Sequence, residues 1–269
     1  MIQKKDIIEG LEEVWAAWEN FGSELSEEEW LTSSRCPGWT VKDNLSHIAG
    51  TENMLAGNPA PENSPVGEHI RNPIGTANEH WVESFRNYSG AEVLEAFKEI
   101  TSERIEVLRN LEEEQFTKVG WTPAGEAPYG RFMQIRIYDS WLHLQDCREP
   151  LGKPGDEDGK SAEISVQEVV EAIGYIVGKR GKAPEGSCIE ICLTGPIERT
   201  LNVQVEEKAQ LVDHFEGEPT VSLTLTSTDF LALTGGRNSA AQYVEDGRLV
   251  IEGDQELGKQ ISENLAFTV

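Results

Sequence analysis

Asp139, His143 and Asp146 in the segment DSWLHLQD are spaced i, i+4 and i+7, which brings them onto one face of an α-helix. A carboxylate and an imidazole at i and i+4 project side by side and can share one cation. At ~100° per residue, Phe132, Ile135, Asp139, Leu142, His143 and Asp146 fall within a sector of about 100°. The ionisable groups therefore lie on the stripe that should face a core. Ile137, Tyr138, Trp141 and Leu144 occupy the other side, so the helix is expected to be covered on most sides. Buried, unpaired carboxylates are unfavourable and must be compensated. One compensation is a hydrogen-bond and ion-pair network, with Asp139 accepting from His143 or from an arginine such as Arg136. The other is a metal centre, because helical bundles recurrently hold metals on inward carboxylates and histidines.

A metal centre needs a third ligand, and His47 is the best placed to supply it. It lies in a helix expected from Thr40 to about Ala56, at the edge of a stripe made by Val41, Leu45, Ile48 and Leu55. Asp43 stands four residues before His47, the same spacing as Asp139 and His143, but it reads better as the acid of a helix cap begun by Thr40. His80, beside Trp81, is a weaker ligand candidate. His69, in a proline-rich loop, and His214, beside acids, read as ordinary surface residues.

The elements that must position these groups fall in two halves. Up to about residue 150 the pattern is helical. Ile7, Leu11, Val14, Trp15 and Trp18 form an amphipathic stripe, residues 57–75 read as loop, and 76–88 as a short helix. A long helix is expected over SGAEVLEAFKEITSERIEVLRNLEEE, and GWTPAGEAPYG, 120–130, reads as a further loop before the helix of the opening segment. Residues 151–161 form a glycine-, proline- and charge-rich linker. Beyond it, SCIEICL and RTLNVQV alternate as a hairpin about TGPIE, and TVSLTLT forms another strand. Helices are expected at about 165–180, 227–234 and 254–264. The fold class is α+β in two domains, 1–155 and 161–269.

Composition narrows the partners. The formal charge of −25, from 23 Lys+Arg against 48 Asp+Glu, disfavours nucleic acid and anionic lipid. No stretch approaches the ~18 apolar residues of a membrane span. The N-terminal stretch MIQKKDIIEGLEEVWAAWE is broken by acids and lacks the apolar core of a secretory signal. Cys188 and Cys192 share one face of an expected strand at about 13 Å, too far for a disulfide. A reduced, cytoplasmic setting is the expectation, with none of the four cysteines marked as a catalytic thiol.

Two separated motifs carry a family resemblance. CPGWTVKDNLSHIAGTE, followed much later by TPAGEAPYGRFMQIRIYDSWLHLQDCREPLG, resembles the mycothiol-dependent maleylpyruvate isomerase family. The likeness covers residues 5–155 and rests on the PGW turn, the helix with its histidine, and the late acid-x-x-x-His-x-x-Asp helix. It implies a DinB-like, up-down, metal-binding four-helix bundle followed by a small α+β domain of sterol-carrier type. Carried across, the metal ligands fall on His47, Asp139 and His143. The family uses glutamate where this chain has Asp139, one methylene shorter. Zinc is the default ion for two histidines and a carboxylate with open positions. Asp146 would receive an N–H from a ligating histidine. The family's C-terminal arginine matches Arg237 in LTGGRN, whose guanidinium suits a substrate carboxylate; the other reading is an exposed arginine after a helix end.

The implied chemistry needs a low-molecular-weight thiol, mycothiol or similar, as cosubstrate and a small electrophile as substrate. The thiolate adds to a cis double bond conjugated to carbonyls, the new single bond rotates, and expulsion of the thiol leaves the trans product. If the thiol stays attached, the reaction is an S-transfer. Two further readings stand beside this one: a non-catalytic carrier of an apolar small molecule, and a DinB-like hydrolase that activates water instead of thiol. A monomer or a homodimer suits any of them.

Overall fold

The computed structural model describes residues 2–59, 61–63 and 67–268 and divides into two compact units, Met1–Asp156 and Glu157–Val269. In the first unit, four long helices dominate: α1 (Lys4–Ser23), α3 (Val41–Leu55), α5 (Gly90–Asn110) and α7 (Tyr129–Arg148). The short helices α2 (Glu27–Trp30), α4 (Pro73–Ser84) and α6 (Glu113–Thr117) lie between them in sequence. Helix α1 packs on α5 and α7, and α3 packs on the same two, so the four close into a ring around one core. Trp18, Leu11, Leu45, Ile48, Phe97, Leu108 and Trp141 fill it.

Local chemistry starts these helices where the sequence indicates. Thr40 and Asp43 form a reciprocal capping box at α3, and Ser89 with Glu92 does the same at α5. Asn72 caps α4 and Pro73 takes its first position, so this helix begins before the expected residue 76. The helix from Ser89 ends at Asn110 rather than running through the acids that follow; Glu112 opens α6 with a capping box of its own.

One expectation is overturned. Residues 120–130 are not a loop: β1 (Val119–Thr122) and β2 (Gly125–Pro128) pair as an antiparallel hairpin, and Tyr129 begins α7 directly. Each strand is four residues long, too short for alternation to be visible, and Gly125 takes the left-handed turn position at φ 96°.

The second unit is a five-stranded sheet with helices. Its strands are β3 (Cys188–Thr194), β4 (Arg199–Val205), β5 (Ala209–Val212), β6 (Val221–Thr226) and β7 (Leu249–Gly253). Their order is β5-β4-β3-β6-β7, with β3 and β6 parallel and every other pair antiparallel. Ile189 pairs with Val203 on one side and Val221 on the other, so the alternating apolar residues of three strands share one face. Against the sheet pack α8 (Gly159–Tyr175), continued by a π-turn at Ile176–Arg180, then α9 (Ser227–Thr234) and α11 (Gln255–Ser262). Strands β5 and β7 and helix α10 (Ala240–Glu245) had no clear sequence signal. All four cysteines are free thiols. No helix among the described residues is long and apolar enough to cross a membrane.

Candidate metal centre

Helices α3 and α7 touch along the faces that carry His47 and Asp139, and the ring brings the three expected ligands together. His47 Nε2 lies 3.1 Å from Asp139 Oδ2, and His143 Nε2 lies 3.6 Å from Asp139 Oδ1. The donor atoms of all three residues lie within 4.8 Å of one another. A tetrahedral zinc with bonds of 2.0–2.1 Å spaces its ligand atoms by about 3.3 Å, so the separations suit that ion. The donor set, two imidazole nitrogens and one carboxylate, is a familiar zinc set with positions left for a further ligand. The Asp139 side chain keeps 30% exposure while those of His47 and His143 keep 4% and 10%. The centre is thus walled by protein and reached from the carboxylate side.

The far nitrogen of each imidazole is also partnered, which orients both rings. His143 Nδ1 lies 3.2 Å from Asp146 Oδ2, and His47 Nδ1 lies 3.5 Å from the Thr51 hydroxyl. An acceptor behind a ligating histidine fixes its tautomer and turns the other nitrogen inward. The two rings meet edge to face at 5.0 Å.

Electrostatics splits the three groups. Burial lowers the His47 imidazole pKa and outweighs the pull of Asp139, which favours the neutral ring. Burial would raise Asp139, but Arg136 above all, then His47 and His143, hold it well below the usual carboxylate range. Burial would lower His143 too; the Cys36 sulfur and the Asp139 and Asp146 carboxylates outweigh it and push it up to about 10. Without a cation, then, a charged ring sits among negative groups. Arg136 donates to Asp139 Oδ2, so part of the network that competed with the metal reading is also present.

The CPGW segment brings two residues that sequence reasoning did not place here. Trp39 N donates to Cys36 O at 3.1 Å across Pro37 and Gly38, and Gly38 has φ 82°. Proline then a left-handed glycine at the two central positions is the pattern of a type II turn. The turn sets Cys36 Sγ 3.4 Å from His143 Nδ1 and 3.1 Å from Asp146 Oδ2. Cys36 is therefore beside the centre. The Trp39 ring lies 5.2 Å from that of His47 and 5.8 Å from that of His143, and its indole N–H is held by Glu79 at 2.8 Å. Arg35 binds Asp146 Oδ1 at 3.0 Å, completing the cover on that side. A signal existed in the sequence: a turn-forming PG immediately before the ligand helix must lay its flanking side chains near that helix's first turns.

The remaining histidines stay out of the cluster. His69 is not an ordinary surface residue; its Nε2 lies 3.0 Å from Glu79 Oε2, which also accepts from Trp39. His80 Nδ1 meets Asn63 Oδ1 at 2.6 Å, and His214 is exposed. Arg237 follows α9 in the second unit and is half-buried, with its backbone N–H on Ala232 O at 2.8 Å and its guanidinium on Gly235 O.

A helical unit with a buried His, carboxylate, His cluster, joined to an α+β unit, defines a class of two-domain proteins. Comparison with known proteins gives the family. The family model described as the mycothiol maleylpyruvate isomerase N-terminal domain matches residues 11–148, 138 of the 269 residues. The chain belongs to the mycothiol-dependent maleylpyruvate isomerase family, a family of enzymes. The SCP-2 sterol transfer family matches residues 178–266. Among solved structures, a crystal structure of the mycothiol-dependent maleylpyruvate isomerase is similar at a TM-score of 0.57 and 16% identity, covering 88% of this chain and 90% of that one. A histidine-to-alanine mutant of a mycothiol-dependent maleylpyruvate isomerase is similar at 0.56 and 15% identity, covering 93% of each chain. At these identities the likeness concerns the fold. A search of curated proteins finds no match.

Proposed function

We propose that this protein is a metal-dependent enzyme in which His47, Asp139 and His143 hold a divalent cation, zinc by preference, for activating a low-molecular-weight thiol of the mycothiol type. The observation that carries the proposal is the convergence of two inward imidazole Nε2 atoms and one carboxylate at ligand spacing. A cation held this way acidifies a bound thiol and keeps it nucleophilic at neutral pH. The chain's own residues do the rest. Asp146 and Thr51 orient the two imidazoles, and Trp39 packs against both rings and keeps water from that side. Family membership favours a thiol over water as the activated group, and hence isomerisation of a small unsaturated electrophile by thiol addition and expulsion. S-transfer shares the first step and differs only in whether the thiol leaves. Arg237 is the proposed partner for a substrate carboxylate, and Arg237→Lys should raise KM more than it lowers kcat.

The test begins with metal content by plasma mass spectrometry on protein purified without a histidine tag, beside His47→Ala and His143→Ala. One zinc per chain, lost in both folded variants, is expected. Assays with mycothiol and maleylpyruvate, then with mycothiol and a generic electrophile, separate isomerase from transferase. Turnover that ignores added thiol would end the thiol reading.

The sterol-transfer match supports a second proposal for residues 178–266, binding of an apolar small molecule. Native mass spectrometry of freshly purified protein would show it as co-purified lipid. Its absence in protein from several expression hosts would count against it.

A further inference from the structure

Three helices contribute to a buried charge network that ends on one of the proposed ligands. Glu52 on α3 is fully buried, and Arg104 on α5 and Arg136 on α7 are 2% and 3% exposed. Arg104 Nε donates to Glu52 Oε2 at 3.0 Å, and Arg136 Nε donates to Glu52 Oε1 at 2.8 Å. Each oxygen of one carboxylate thus anchors one arginine. Arg104 Nη2 also donates to the Tyr129 hydroxyl at 2.7 Å, tying the start of α7 to the same group. Arg136 then reaches with Nη1 to Asp139 Oδ2. Two arginines and two acids balance in charge.

The network extends to Asp139, where Arg136 shares Oδ2 with His47 Nε2 at 3.1 Å while Oδ1 faces His143 Nε2 at 3.6 Å. A guanidinium is planar and rigid, so with Nε fixed on Glu52 the direction of Nη1 is fixed as well. A carboxylate free to rotate can wrap a cation with both oxygens. One whose Oδ2 is engaged by a guanidinium presents Oδ1 as its freer donor.

We propose that Arg136, braced by Glu52 and Arg104, is a positioning residue that clamps Asp139 by one oxygen so that it ligates through the other and leaves coordination positions open for the thiol and substrate. The inference rests on the metal centre proposed above and deepens it. Partners behind a ligand typically change metal affinity 10–100-fold when mutated. Arg136→Lys keeps the charge but cannot hold Glu52 and Asp139 together, so it should fall in that range. Glu52→Gln loosens the brace one step further away and should move in the same direction by less.

The experiment is cobalt substitution of the full-length native chain, Arg136→Lys and Glu52→Gln. Affinity is read by chelator competition and coordination number by the visible d–d absorption. The native band should be strong, as in four-coordinate sites, and should weaken in Arg136→Lys as both Asp139 oxygens ligate. Folded Arg136→Lys and Glu52→Gln chains with native affinity and spectrum would overturn the clamp alone. X-ray absorption of the native cobalt enzyme tests it however the variants fold: a single carboxylate oxygen in the first shell supports it, and a bidentate carboxylate overturns it. A native chain that takes up no cobalt would overturn the metal centre itself.

Discussion

Two pairs in this protein share the sequence spacing Asp-x-x-x-His and meet different fates. Asp43 and His47 lie on α3, and Asp139 and His143 on α7. Asp43 occupies the first turn of its helix, where its carboxylate accepts from the Thr40 N–H and hydroxyl, both at 2.8 Å, and from Arg86 at 2.9 Å. It is spent on a cap and an ion pair and never meets His47. Asp139 sits in mid-helix, where backbone N–H groups are already bonded to the preceding turn. Its carboxylate is left to its neighbours, which are two imidazoles and Arg136. The same spacing makes a fold element in one place and a candidate centre in the other. The difference lies in what the backbone leaves unsatisfied.

Removing the imidazoles is the hardest test of that contrast. His47→Ala or His143→Ala should abolish stoichiometric zinc and thiol-dependent turnover while circular dichroism stays native; zinc retained in both would dissolve the distinction between the pairs. The next largest effect is on pH. A His143 pKa of about 10 means the ring is protonated in the metal-free chain at neutral pH. That proton supports the metal-free fold fully below the unfolded value of about 6.5, and the support is lost as pH rises through about 10. A cation requires the neutral ring, so its affinity runs the other way, rising about tenfold per unit between pH 6 and 8 with release of about one proton. Calorimetry in buffers of different ionisation enthalpy counts that proton, and a count of zero would remove His143 from the ligand set. His47, whose pKa burial lowers, contributes less.

Smaller effects sharpen the comparison. Asp146→Asn leaves the ligand atoms in place but weakens the acceptor behind His143, and zinc affinity should drop by roughly 10–100-fold. Equal affinity in the variant would mean the 3.2 Å contact is incidental to the centre. Asp43→Ala should do the opposite kind of damage. Loss of the cap and of one Arg86 partner should destabilise the fold by about 1–2 kcal/mol in urea melts. Zinc content should not change, and a variant that loses zinc would show the two pairs to be coupled.

The chain's own chemistry announced a good deal of this. Helix starts at Thr40 and Ser89, the strands with alternating Ile189, Ile191 and Leu193, and the two-part division of texture all follow from local rules of capping and periodicity. So did the sharing of one helix face by Asp139 and His143, because 3.6 residues per turn is a property of the backbone and not of the fold. The hairpin at 119–128 was invisible because its strands are too short to show a period and are rich in residues that usually mark loops.

Only the tertiary structure could decide what stands opposite those faces. His47 and Asp139 are 92 residues apart, and nothing local fixes the rotation of α3 about its axis against α7. Packing of the apolar stripes fixes it, and that packing turns His47 Nε2 onto Asp139. The same holds for Cys36 and Glu52. A proline-glycine turn signals that Cys36 lies near the start of the next helix but not which residue it meets, and a glutamate in a helix has no distinguishing sequence signal. Their partners, His143 at 107 residues and Arg136 at 84, are chosen by the way the four helices close. The sequence by itself determined which side chains share a helix face, since that depends on backbone geometry alone. The closing of the ring decided which faces meet, because burial is scored over the whole core at once and no single segment contains that information.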